Sequence, residues 1–175
     1  MKPALLILLG VMVTAPFAGA ADWLSWRKVG DATLTWGPFT IYTSQLRTAD
    51  GRYHGLNEDQ ALIISYQRNI ERQALVDATR DQWRAQGILA REVQSESWLR
   101  MLGELWPDVA PGSQLAFVLQ DKQGQFWYRM STTQMHFIPL GPPQSAAFSE
   151  NFFAIWLGSR TQYPELRQQL TGGDK

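Results

Sequence analysis

The stretch QLAFVLQDKQGQFWYRM, residues 114–130, decides the fold class. Two runs rich in aliphatic and aromatic side chains flank Asp121-Lys122-Gln123-Gly124, a polar four-residue turn with glycine near its end. That pattern predicts an antiparallel hairpin. Just downstream, TQMHFI (133–138) predicts a third, shorter strand. Upstream, Trp98, Met101, Leu102 and Leu105 recur at i, i+3, i+4 and i+7, which predicts a helix over about 95–106 ended by Pro107. A further helix covers 71–86, with Leu75, Ala78, Thr79, Gln82 and Trp83 at helical spacing and Gly87 where a terminating glycine belongs. Ahead of it, ALIISYQRNI (61–70) reads as a strand with Leu62, Ile64 and Tyr66 on one face and Arg68 at its far end.

The two ends of the chain complete the pattern. VGDATLTWGPFTIYTSQLR (29–47) predicts two strand segments, or one long strand with a bulge, around Gly37-Pro38. Thr40, Tyr42, Ser44 and Leu46 share one face of the second segment, and Phe39, Ile41 and Thr43 share the other. DGRYHG (50–55) is a turn. The region from Ser145 to Leu170 is helical in two pieces. Phe148, Phe152, Ile155 and Trp156 form one stripe with Phe153 and Leu157 beside it, too broad an apolar face for a surface helix. Gly158 is expected to end that helix with φ > 0, and Pro164 suits the first position of the next. Strands and helices are thus grouped rather than strictly alternating. This favours an α+β fold with a largely antiparallel sheet and helices packed on one face.

Bulk composition excludes several function classes. With 175 residues, 45% hydrophobic and 18% charged, the chain is long enough for one domain with a real core. Its 16 basic and 16 acidic side chains give no net charge, against a nucleic-acid partner and against charge-driven membrane attachment. Residues 1–20 differ from the rest: Lys2, the apolar run ALLILLGVMV, Pro16 and Ala18-Gly19-Ala20 read as a secretory signal cleaved between Ala20 and Ala21. The run is shorter than the roughly 20 residues needed to span a bilayer, so no stable membrane span is expected after cleavage. A domain over 21–175, periplasmic or secreted, follows as the expectation. The chain has no cysteine, so neither disulfides nor an N-terminal lipoprotein anchor are available to it.

Familiar catalytic patterns are missing. The two histidines, His54 and His136, have no ligand neighbours at metal-binding spacing, and no Gly-x-Gly-x-x-Gly, Walker loop or Gly-x-Ser-x-Gly occurs. No metal and no cofactor are expected. Asp77, Asp81, Glu92, Glu96 and Glu104 interleave with Arg72, Arg80, Arg84 and Arg100 as on a solvated helix surface. What stands out is aromatic richness: eight Trp, eight Phe and five Tyr, material for a core or for the walls of an apolar pocket.

Several segments together resemble the bacterial chalcone isomerase-like family. They are Val29-Gly30-Asp31-Ala32, FTIYTSQLRTADGRY (39–53), LIISYQRNIERQAL (62–75), WLRMLGELWPDVAPGSQLAFV (98–118), FFAIWLG (152–158) and YPELRQQL (163–170). The last two are the most specific, and the resemblance runs from about 29 to 172. It implies an open-faced β-sandwich of the chalcone isomerase type, with helices on one face of an extended antiparallel sheet. Plant enzymes of the superfamily cyclise a chalcone in the cleft between sheet and helices, whereas non-catalytic plastid relatives bind fatty acids there.

The catalytic set carries over poorly. Phe39-Thr40-Ile41 lies on the family's strand motif, making Thr40 the counterpart of its threonine and the only motif match. The arginine position falls on Lys28 or Leu34, depending on the alignment. The helix of 72–86 holds neither the expected tyrosine nor the asparagine. Lysine is no equivalent where a planar donor fork must hold a phenolate.

The resemblance therefore implies an exported, non-catalytic protein that holds an apolar small molecule, such as a fatty acid, between sheet and helices. The candidate ligand contacts are Trp36, Thr40, Tyr42, Tyr66 and Trp83, with Arg68 as a conceivable carboxylate anchor. The alternatives are an intramolecular lyase or isomerase working through Thr40 with Tyr42 or Tyr66, and a ligand-free envelope interaction domain.

Overall fold

Six antiparallel strands form one open sheet in the order β1-β2-β3-β4-β5-β6, so each strand pairs with its neighbours in sequence. They are β1 (Arg27–Trp36), β2 (Phe39–Thr48), β3 (Gln60–Tyr66), β4 (Gln114–Gln120), β5 (Gln123–Arg129) and β6 (Ile138–Gln144). A computed structural model describes residues 22–173; the expected leader and its cleavage point lie outside the described residues. Between β3 and β4 the chain makes α1 (Arg72–Ala85), α2 (Ile88–Arg91) and α3 (Ser95–Leu105). After β6 come α4 (Ala146–Leu157) and α5 (Pro164–Thr171). The fold is α+β, an antiparallel sheet with its helices on one side and both edges open.

Strand parity sorts the side chains. Leu46, Leu62, Ile64, Tyr66, Leu115, Phe117 and Phe126 face the helices and join the main core. Ala61, Ile63, Ala116 and Val118 point to the other face, where Trp23, in a short 3-10 turn at Asp22–Ser25, and Phe137 cover them. The two central strands are therefore buried on both faces, and their apolar runs are nearly continuous.

Helix α4 lies in the middle of the helical layer. All of Asn151–Leu157 is buried, which explains a helix apolar all round. Ser145 caps its start, accepting the Phe148 N–H at 3.1 Å. Helix α1 is tied across it by two buried side chains. The Trp83 indole N–H donates to the Asn151 carbonyl, and the Gln86 amide donates to the Ala154 carbonyl, both at 3.0 Å. Helix α5 packs on β1 so closely that a Cβ on Gly30 would overlap the Gln169 and Leu170 carbonyls. Gly87 follows α1 at φ 74°, the left-handed ending its placement predicts.

Three local expectations need correction. The 114–130 hairpin turns on two residues, not four: Gln120 pairs with Gln123, and Asp121 and Lys122 take φ 51° and 65°. Asp59 accepts the Asp121 N–H at 3.0 Å, and the Lys122 ammonium reaches the Asn57 carbonyl at 2.8 Å, which holds this strained turn. Residues 133–137 are loop, and the last strand is the later, proline-rich β6, at an edge where missing N–H groups cost no ladder bond. Gly158 has φ −71°, an extended backbone open to any residue. Space is what requires glycine there, since a Cβ would come within 2.7 Å of the Ala154 carbonyl oxygen.

Candidate functional site

Between α1, α4 and the helix-facing side of the sheet lies a cavity of about 180 Å³. A shift in the β1–β2 register shapes one side of it: Leu34 pairs with Tyr42 and Thr35 with Thr40, leaving Ile41 as an extra residue. That bulge lets Ile41 and Tyr42, adjacent in sequence, both line the cavity. Tyr66 stands opposite Tyr42 on β3, their rings edge to face at 6.2 Å. Phe117 of β4, Phe126 of β5 and Phe152, Ile155 and Trp156 of α4 complete the interior. The mouth is formed by α1, whose Ala74 and Ala78 are exposed, and by the half-buried Leu34 and Tyr163.

Among the described residues, no charged side chain lines this cavity. Its polar atoms are few and fixed. The Trp156 indole N–H donates to the Tyr42 hydroxyl at 2.9 Å, fastening α4 to β2. Burial pushes the Tyr42 phenol far above its ordinary value of 10.0, with the Trp156 hydrogen bond pulling partly back. Tyr66 is raised likewise by burial and by its neighbour Tyr42. Thr79 spends its hydroxyl on the Leu75 carbonyl at 2.9 Å.

Two lining residues keep buried polar atoms without a partner among the described residues: the Trp106 indole N–H and the Gln82 side-chain oxygen. The Gln82 amide nitrogen donates to the Tyr163 hydroxyl at 3.2 Å. A buried unpaired donor or acceptor costs roughly 1–3 kcal/mol, so a guest whose polar atom reaches either one recovers part of that cost.

Of the residues singled out by sequence, Tyr42 and Tyr66 line the cavity and the other four do not. Trp36 stands at the β1–β2 tip, 75% exposed. Thr40, paired with Thr35 beside the bulge, is outside the lining. Arg68, past the end of β3, is exposed and stacks on the Phe39 ring at 4.5 Å. Trp83 is fully buried against Trp98 and Phe148, in solid core.

Gln82, Trp106 and Trp156 line the cavity although no sequence pattern singles them out as ligand contacts. Gln82 and Trp156 were legible as members of amphipathic stripes. Trp106, beside the helix-ending Pro107, gave no signal. Among the described residues no group of His, Asp or Glu is placed to hold a metal ion, and no helix is long and apolar enough to cross a membrane.

No family model matches the chain. It is 26% identical over 159 residues to an uncharacterized protein of Haemophilus influenzae, an alignment covering 91% of this chain and 74% of that protein. The similarity runs along most of both chains and brings no ligand or activity with it.

Proposed function

We propose that this is an exported chalcone isomerase-like protein without catalytic activity, binding an apolar small molecule between the sheet and the helices. One observation carries the reading: an uncharged, aromatic-walled cavity with an open mouth and two unpartnered buried polar atoms, from Trp106 and Gln82. Its size narrows the guest. A dry cavity of about 150 Å³ takes up a benzene-sized molecule, so this one accepts a single ring or a short run of methylenes. A longer acyl chain must leave through the mouth.

Charge narrows it further. An ionised carboxylate inside would have no cation to pair with, at a large desolvation cost. A fatty acid therefore enters tail first, its carboxylate in solvent at the rim. Arg68 stands at that end of the sheet, next to Gln67, whose N–H donates to the Ile41 carbonyl at 3.0 Å.

The lyase or isomerase reading is disfavoured by the same lining. Stabilising a phenolate or enolate needs preorganised donors or cations, and the phenols of Tyr42 and Tyr66 are held protonated by burial.

The test is native mass spectrometry of the purified protein together with thermal shifts for decanoate, dodecanoate and a chalcone. A one-to-one complex and a rise in Tm are expected with the acyl chains, both lost in Ala78→Phe, which plugs the mouth from an exposed position. Ligand-free preparations with no shift from any of these compounds would favour the interaction-domain reading instead.

A further inference from the structure

The opposite face of the sheet carries a second, chemically different concavity of about 420 Å³. It arises from one row of the strand register. Thr33, Thr43, Ser65, Gln114 and Arg129 stand side by side on β1 to β5. Side-chain hydrogen bonds join part of that row: Arg129 Nε donates to Gln114 Oε1, and Gln114 Nε2 donates to Ser65 Oγ at 2.7 Å. Two rows away Arg47 lies beside Lys28, and the groove runs between Leu24 and Phe137.

The charge in this groove is not balanced. Lys28 pairs with Asp31 at 2.7 Å, which neutralises both. Among the described residues, Arg47 and Arg129 form no ion pair. Arg47 is pinned by neutral acceptors, Gln45 Oε1 and the Leu24 carbonyl, both at 2.6 Å. Arg129 is pinned by Gln114 and by the Gln134 carbonyl at 3.2 Å, its guanidinium carbon over the Phe137 ring at 4.5 Å from the centroid.

In each case Nε and Nη1 are used, and Nη2 makes no hydrogen bond to the described chain. The forks are thus fixed in place, positively charged and partly unspent, on a protein whose total charge is zero. A guanidinium so held is suited to carboxylate or phosphate oxygens. Burial lowers the Arg129 pKa, as expected for a cation short of a counter-ion.

We infer that the helix-free face of the sheet is a second binding site, for the carboxylate or phosphate group of a small anionic molecule. Arg47 and Arg129 bear the charge, and the Ser65 and Thr43 hydroxyls lie between them on the sheet. The volume falls in the range of small-molecule pockets, roughly 300–1,000 Å³. The site is independent of the apolar cavity, from which the sheet itself separates it.

The experiment titrates the full chain with inorganic phosphate and with succinate, following the arginine side-chain N–H resonances by NMR. Saturable shifts at Arg47 and Arg129 are expected for at least one anion, and the tighter one assigns phosphate or carboxylate. Arg47→Gln and Arg129→Gln should each weaken binding about ten-fold or more. Arg100→Gln, on the helical side, should leave it unchanged. Circular dichroism verifies folding, and Arg47→Gln keeps the test valid should Arg129→Gln disturb the Gln114–Ser65 contacts. Failure to saturate with either anion, or equal weakening by Arg100→Gln, would overturn the assignment.

Discussion

Replacing Trp156 by alanine probes the fold and the cavity at one point. Its indole is 7% exposed, packs against Phe152 at 5.2 Å and donates to the Tyr42 hydroxyl at 2.9 Å. Truncating a buried tryptophan costs roughly 3–5 kcal/mol. The lost hydrogen bond accounts for about 1 kcal/mol of that, and the existing cavity on one side of the ring keeps the total from going higher. For a chain of this size each kcal/mol moves Tm by about 2–4 °C, so a fall of roughly 6–20 °C is expected.

Trp156→Phe keeps an aromatic ring but loses the donor and part of the packed volume, and should cost about 1–3 kcal/mol. Differential scanning calorimetry reads both variants. Indole added to Trp156→Ala should restore about 1.4 kcal/mol at ten times its Kd, with a smaller effect on the parent chain. An unchanged Tm in Trp156→Ala would refute the placement of α4 against β2. A large fall that indole does not relieve would refute the continuity of this side chain with the cavity.

Other expectations follow from particular contacts. Gly30→Ala forces a methyl into the C-terminal carbonyls of α5 and should cost roughly 1–3 kcal/mol by denaturant unfolding; a neutral result would mean that α5 does not dock on β1. Tyr42 and Tyr66 have raised pKa values in the folded state, so their contribution to stability is complete below 10.0. It declines as pH rises past that value, where the unfolded chain releases protons that the folded chain retains. Ultraviolet titration should show these two phenols ionising only as the protein unfolds; early, reversible ionisation of all five tyrosines would contradict their burial. Ala78→Phe should block uptake of acyl chains while changing Tm little, because the position is exposed; unimpaired binding in that variant would move the entrance elsewhere.

Much of the architecture was legible because period and composition agree. In β2 and β3 the alternation that puts Tyr42, Leu46, Leu62, Ile64 and Tyr66 on one face also fills the core. The stripe through Phe148, Phe152, Ile155 and Trp156 marked α4 as buried. Where structure and local sequence signals differ, tertiary contacts override the local signals. IPLGPPQ looks like a loop, and only its edge position makes a strand of it tolerable. Asp121 and Lys122 occupy left-handed backbone because residues 57 and 59, distant in sequence, hold them there.

The site was legible in part for a related reason. Tyr42 and Tyr66 are set by strand parity, which a sequence displays. Trp36 belongs to the same kind of run, but the chain turns at Gly37-Pro38 and leaves it at the tip. Helix α1 serves two neighbours at once: Val76 and Trp83 are buried in the core, while Leu75, Ala78, Gln82 and the buried Thr79 line the cavity. Periodicity alone does not separate those two stripes. The cavity itself comes from the imperfect fit of large rings from five elements, and no single segment encodes it.

The most direct measurement of the central claim is an NMR study of the folded chain with decanoate carrying a labelled terminal methyl. Binding tail first into the cavity predicts one bound molecule per chain, with nuclear Overhauser contacts from that methyl to Tyr66, Phe152 and Ile155. Contacts confined to exposed rings such as Trp36 and Phe39, or no bound signal at saturating ligand, would contradict it.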